Sequence, residues 1–174
     1  MIIPVEQVFN DLKHYSQQNN SEELYQNIFS DIQYNWYYKK DKPLHSMFTC
    51  TFDDNYQKIV THTFNFVKLQ NNWDGYDAEI IAQDVIQNTI KIFNRIPYQS
   101  MEILDSENIN PTPNGTILIE WNFAENMLSL EIGTNSANYY KKTKDGISFK
   151  NDSFKIDDES AINELSCQLN SFFN

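Results

Sequence analysis

The chain has 174 residues, 40% of them hydrophobic and 14% aromatic, and its 13 basic and 24 acidic residues give a formal charge of −11. That is enough apolar material to build a core, so global disorder is excluded. The negative surplus repels phosphate backbones and anionic lipid surfaces, Arg95 is the only arginine, and no apolar run nears the roughly 18 residues that span a bilayer, so neither direct nucleic-acid binding nor membrane insertion is expected.

The start, Met1-Ile2-Ile3-Pro4-Val5-Glu6, lacks the basic and apolar regions of a secretory signal, which points to a cytoplasmic protein. Val5, Val8, Phe9, Leu12 and Tyr15 then recur at helical spacing, with Pro4 suited to a first turn. Asn20 and Glu23 resemble a capping arrangement for a second amphipathic helix carrying Leu24, Ile28, Phe29 and Ile32. An aromatic cluster follows, Tyr34, Trp36, Tyr37 and Tyr38, of the residue types that dominate protein interfaces, although a core role explains it as well. Ser46 to Phe52 alternates like a short strand.

Two further helices are expected, Tyr56 to Gln70 with Ile59, Val60, Phe64 and Val67 inward, and Ala78 to Ile96 with Ala82, Val85, Ile86, Ile90 and Phe93 inward. Beyond them the pattern changes to short alternating runs broken by turn signals, the mark of an antiparallel meander. Pro113-Asn114-Gly115 leads into a strand from Thr116 to Asn122, and a loop at Phe123 to Asn126 leads into Met127 to Gly133. That loop pairs Trp121 with Leu128, Ile119 with Leu130 and Ile117 with Ile132 on a single face. Asn138 to Lys142 and Ile147 to Lys150 flank the turn at Asp145-Gly146, and Ser153 to Ile156 reads as a further edge strand. Asp157-Asp158-Glu159 opens a last helix with Ile162, Leu165, Leu169 and Phe172 on one face. The expected architecture is one α+β domain over residues 1–174, an antiparallel β-meander of about four to six strands covered by amphipathic helices.

The run Asn72-Trp73-Asp74-Gly75-Tyr76, the turn Pro111-Thr112-Pro113-Asn114-Gly115, and the strands Leu118-Ile119-Glu120-Trp121 and Leu130-Glu131-Ile132 resemble a family of bacterial and phage proteins. Its members carry an Asn-Trp-Asp-Gly-Tyr-Gly-Ala element, a Pro-x-Pro-x-Gly turn and a Leu-Glu-Trp strand. The resemblance spans roughly residues 69–132 and departs at Asp77, where the family has glycine or another small residue. It implies no activity. Residues 1–55 lie outside it as a variable helical part, with residues 56–174 as the family-like part. Abundant asparagine, lysine and isoleucine beside a single arginine also suit an AT-rich bacterial genome.

The chemistry-bearing patterns are absent: no phosphate loop, nucleophile elbow, His-Glu-x-x-His helix or Cys-x-x-Cys pair, and hence no expected cofactor or metal. Cys50 and Cys167 read as buried structural thiols in a reducing compartment. Asp53, Asp54 and His62 are competent metal-ligand types, but a solvated turn explains them. Glu120 and Glu131 fall on one face of the hairpin as diagonal neighbours, a spacing open to a hydrolytic reading and equally to two exposed acids. Trp73, Asp74, Tyr76, Glu120 and Trp121 compose a candidate ligand-binding surface of aromatic faces and carboxylates, for which a rigid inter-helix corner is the structural alternative. Together these features suggest a non-enzymatic protein that acts on a basic protein partner, as antitoxins, immunity proteins and phage inhibitors do. A small-molecule sensor is the second reading and a cryptic hydrolase using the glutamates the third.

Overall fold

The computed structural model describes residues 54–146 and 148–171. The expected N-terminal helices, the aromatic cluster at Tyr34, Trp36, Tyr37 and Tyr38, and the strand over residues 46–52 lie outside them. The chain divides between Gln57 and Lys58 into two units, and apart from the first four residues of the helix Asp54–Asn65 the architecture below is that of the second.

Helix α1, Asp54–Asn65, buries Ile59, Val60 and Phe64 as its periodicity requires. It ends earlier than expected, because the chain tightens at Phe66–Lys68 into a 3-10 turn. The tighter winding turns Phe66 inward and leaves Val67, expected inward, only half-buried. Buried Thr63 is satisfied locally, its hydroxyl donating to the Ile59 carbonyl at 2.9 Å.

Helix α2, Gln83–Phe93, is shorter at both ends than its apolar pattern suggests. At its start, Ala82 is the N-cap, and the preceding segment is diverted into long-range bonding: the Ala78 carbonyl accepts from Asn72 and the Glu79 amide donates to Pro113. At its end, Pro97 halts the chain and opens the short helix α3, Tyr98–Glu102. Val85, Ile86, Ile90 and Phe93 are buried on α2 as expected, with Asn88, Thr89 and Ile92 joining them.

Five strands form one antiparallel sheet in chain order: β1 (Ile109–Pro111), β2 (Ile117–Phe123), β3 (Asn126–Ile132), β4 (Ser136–Lys142) and β5 (Ser148–Lys155). The β2–β3 register pairs Ile117 with Ile132, Ile119 with Leu130 and Trp121 with Leu128, as the apolar pattern demands. One further pair, Phe123 with Asn126, closes the ladder and shortens the hairpin loop to Ala124-Glu125, with Ala124 at φ 52°. Residues 148–150 and 153–155, read as parts of two separate strands, belong to a single β5, whose pairing with β4 slips between Ala137 and Tyr139. The slip inserts one extra residue on β5, where Ala137 to Tyr139 on β4 faces Phe154 to Asn151.

Strand alternation sends Ile117, Ile119, Trp121, Leu128, Leu130, Ile132, Ala137 and Tyr139 to the buried face. Helix α4, Glu159–Asn170, supplies Ile162, Leu165 and Leu169 to the same core, and its N-cap Asp158 accepts from the Ser160 and Ala161 amides. Phe172 lies beyond the described residues. Arg95 joins α2 to this helix by donating to the Ile156 carbonyl at 3.1 Å and pairing with Glu159. Among the described residues no helix is long and apolar enough to cross a membrane.

Candidate functional site

The segment from Asn71 to Ile80 contains neither helix nor strand, yet its backbone is closely bonded. Asn72 donates its amide to the Ala78 carbonyl at 2.7 Å, and the Gly75 amide returns to the Asn72 carbonyl at 3.0 Å. Asp74 Oδ1 accepts from the amides of Tyr76 and Ala78 at 2.7 and 3.2 Å, while Asn72 Oδ1 accepts from Asp77 at 2.8 Å. These short carbonyl side chains replace the hydrogen bonds of regular structure, which is why asparagine and aspartate occupy the two positions. The cost is backbone strain at Asn72, φ 63°, and Asp77, φ 75°, while Gly75 takes φ 79° without steric penalty. Asp77 thus holds a left-handed backbone that glycine adopts most readily.

The loop is fastened to the turn that precedes β2. Glu79 donates its amide to the Pro113 carbonyl at 2.9 Å, and half-buried Trp73 donates Nε1–H to the Glu79 carbonyl at 3.0 Å. Gly115, at φ 73°, lies so close that an added Cβ would stand 3.0 Å from the Ile80 carbonyl oxygen. Loop and turn therefore form one composite corner.

A side-chain relay connects that corner to the sheet. The Asn114 amide donates to Thr112 Oγ1, and the Thr112 and Thr116 hydroxyls are 2.6 Å apart. Thr116 gives its single proton to Glu131 Oε1 at 2.7 Å, so Thr112 must be the donor to Thr116. All donors in the relay point the same way, ending on a carboxylate anchored in β3. Glu131 is accordingly a structural brace of the turn.

The corner leaves Tyr76 89% exposed, the most exposed of the large hydrophobic side chains among the described residues. Its neighbours Asp77 and Glu79 are exposed and Asp74 is half-exposed. Between Lys68 and Lys91 the chain contains Asp74, Asp77, Glu79 and Asp84 and no lysine or arginine. The ring therefore stands on a stretch of chain whose charged residues are all acidic.

No family model, curated protein or solved structure matches the chain.

The other candidate residues are dispersed. Trp121 is only 1% exposed and donates Nε1–H to the Ser100 carbonyl at 2.9 Å. Glu120, its chain neighbour, projects from the opposite face of the sheet, where Ser129 donates to it at 3.4 Å. Strand alternation thus keeps Trp121 and Glu120 from sharing a surface. Glu120 and Glu131 do lie on one face as diagonal neighbours. Cys167 is exposed, correcting the expectation of a buried thiol: two residues beyond inward-facing Leu165, the helical turn carries it outward. Cys50 and Asp53 lie outside the described residues. His62 Nε2 lies 2.9 Å from the Ile109 carbonyl oxygen, tying α1 to strand β1. Among the described residues no group of three histidine, cysteine or acidic side chains could hold a metal ion.

The sequence signal for Trp73, Asp74 and Tyr76 was direct. Asn72, Glu79, Pro113 and the Thr112–Thr116–Glu131 relay were missed as parts of the same site. Their only visible signal was the combination of an Asn-x-Asp-Gly element and a Pro-x-Gly turn, both demanding positive φ.

Proposed function

We propose that the protein acts without chemistry of its own, by binding another protein and occluding its surface in the manner of an antitoxin, immunity protein or phage-type inhibitor in a bacterial cell. We place its contact surface at the corner formed by residues 71–80 and 113–116. The observation that carries this reading is Tyr76, held 89% exposed on a loop whose amides at Asn72, Gly75, Tyr76, Asp77 and Ala78 are all hydrogen-bonded. Tyrosine is among the residues that concentrate interface energy, and a loop ordered before binding forfeits little entropy when the complex forms. Exposing so large a ring on a loop with strained backbone brings no stability to the fold, which favours a role in recognition.

Affinity purification of the tagged wild-type protein and its Tyr76→Ala variant from the native host, with mass spectrometry, tests the reading. The expected result is a stoichiometric protein recovered with the wild type and depleted with the variant. Recovery of the wild type alone, or equal recovery by both, contradicts it.

A further inference from the structure

We propose that a second site, separate from the Tyr76 corner, binds a small zwitterion of the free α-amino acid class. A cavity of about 520 Å³ lies between helix α2, the β3–β4 turn and the junction of β5 with α4, within the usual size range of small-molecule sites. Asn88 and Ile156 line it as buried residues, 7% and 4% exposed, while Thr134, Asn135, Lys155 and Asp157 stand exposed around them.

The Asn88 amide carries the argument. Its Nδ2 donates to the Gly133 and Thr134 carbonyls at 3.0 and 2.8 Å, which uses both of its protons and fixes the way the amide faces. Oδ1 accepts no hydrogen bond from a described residue, although Asn88 is more than nine-tenths buried and such groups are ordinarily bonded. This oxygen is not among the fully enclosed unpartnered atoms of the core, and the cavity is the opening that Asn88 lines. A molecule entering the cavity thus meets a fixed acceptor and must bring a donor to it.

Two opposite charges frame the same space. Lys155, at the end of β5, and Asp157, in the turn before α4, form no ion pair or side-chain hydrogen bond with each other or with another described residue. Asp158, by contrast, commits Oδ1 to the Ser160 and Ala161 amides. An ammonium group matches Asn88 Oδ1 and Asp157, and a carboxylate on the same molecule matches Lys155. A simple anion brings no donor for Oδ1 and meets the two aspartates. An apolar molecule would strip the oxygen of water without replacing its hydrogen bond.

The test screens the proteinogenic amino acids singly against the full-length protein by thermal unfolding, followed by amide NMR of isotope-labelled protein. A binding amino acid should raise the unfolding midpoint progressively with its concentration, and should shift the Asn88 side-chain amide resonances together with the backbone amides of Thr134 and Asp157. Its N-acetyl and methyl ester derivatives, which remove the ammonium and the carboxylate charge, should bind about tenfold more weakly or worse. The unmodified amino acid should lose a similar factor, about tenfold, on Asp157→Asn and on Lys155→Met. Both substitutions fall on exposed side chains without bonds to the rest of the described protein, so the fold is retained. Absence of binding by every amino acid, resonance shifts confined to other parts of the protein, derivatives that bind as well as the parent, or undiminished binding by both variants would overturn the inference.

Discussion

Replacing Gly115 by alanine tests whether the loop and the turn are one unit. The backbone at φ 73° disfavours any residue with a Cβ, by about 1–2 kcal/mol. Sterics add to this, because the new Cβ would lie 3.0 Å from the Ile80 carbonyl oxygen and 3.3 Å from Glu79 Oε2. The glutamate side chain can swing away, but the carbonyl belongs to backbone already held by the 2.9 Å bond from Glu79 to Pro113. Relieving the contact stretches that bond, worth about 1 kcal/mol net, so the whole substitution should cost about 2–3 kcal/mol. Gly75→Ala is the control, since φ there is 79° but nothing lies within 4 Å of the added Cβ. It should cost about 1–2 kcal/mol, the conformational part alone. Urea unfolding followed by circular dichroism gives both values, and a Gly115→Ala cost no larger than that of Gly75→Ala would refute the docking of loop on turn.

Three other substitutions probe the surrounding fold. Ser100 is fully buried and its hydroxyl finds no partner among the described residues, while its carbonyl is used by Trp121, so Ser100→Ala should stabilise by about 1 kcal/mol in the same urea assay. A loss of stability there would mean that the hydroxyl is bonded. Ala124 sits at φ 52° in the β2–β3 loop, and Ala124→Gly should gain about 1 kcal/mol, with an unchanged or lower midpoint counting against the left-handed turn. Lys141 donates to the Gln168 carbonyl and side chain and to Ser171 at the end of α4, and burial lowers its pKa below the ordinary 10.5. The folded state then releases its proton before the unfolded state does, so the stability of the wild type relative to Lys141→Met should rise as pH climbs towards 10.5. A difference that is flat or falls with pH, measured by thermal unfolding, would contradict the desolvation of this ammonium.

How much of this was legible depended on the range of the interaction concerned. The β2–β3 register followed from alternation, since one slip would have turned Ile117, Ile119 and Trp121 away from Leu128, Leu130 and Ile132 together. That same alternation argues against using Trp121 as a surface residue, because a side chain in phase with Ile117 and Ile119 belongs to the core. Strand β1 and helix α3, three and five residues long, are too short to display a period. The boundaries of α1 and α2 moved because a 3-10 turn and long-range backbone bonds overrode apolar spacing. Positive φ at Gly75 and Gly115 could be anticipated locally from glycine chemistry. The bond from Glu79 to Pro113 joins segments far apart in the chain, which no local pattern encodes.

The most direct test of the central claim is hydroxyl-radical footprinting of the protein alone and in complex with the host protein that co-purifies with it. Tyr98, 59% exposed on α3, serves as the internal reference for Tyr76. Oxidation of Tyr76 should fall sharply in the complex while that of Tyr98 is unchanged; full oxidation of Tyr76 in the complex would contradict the assignment of the corner as the binding surface.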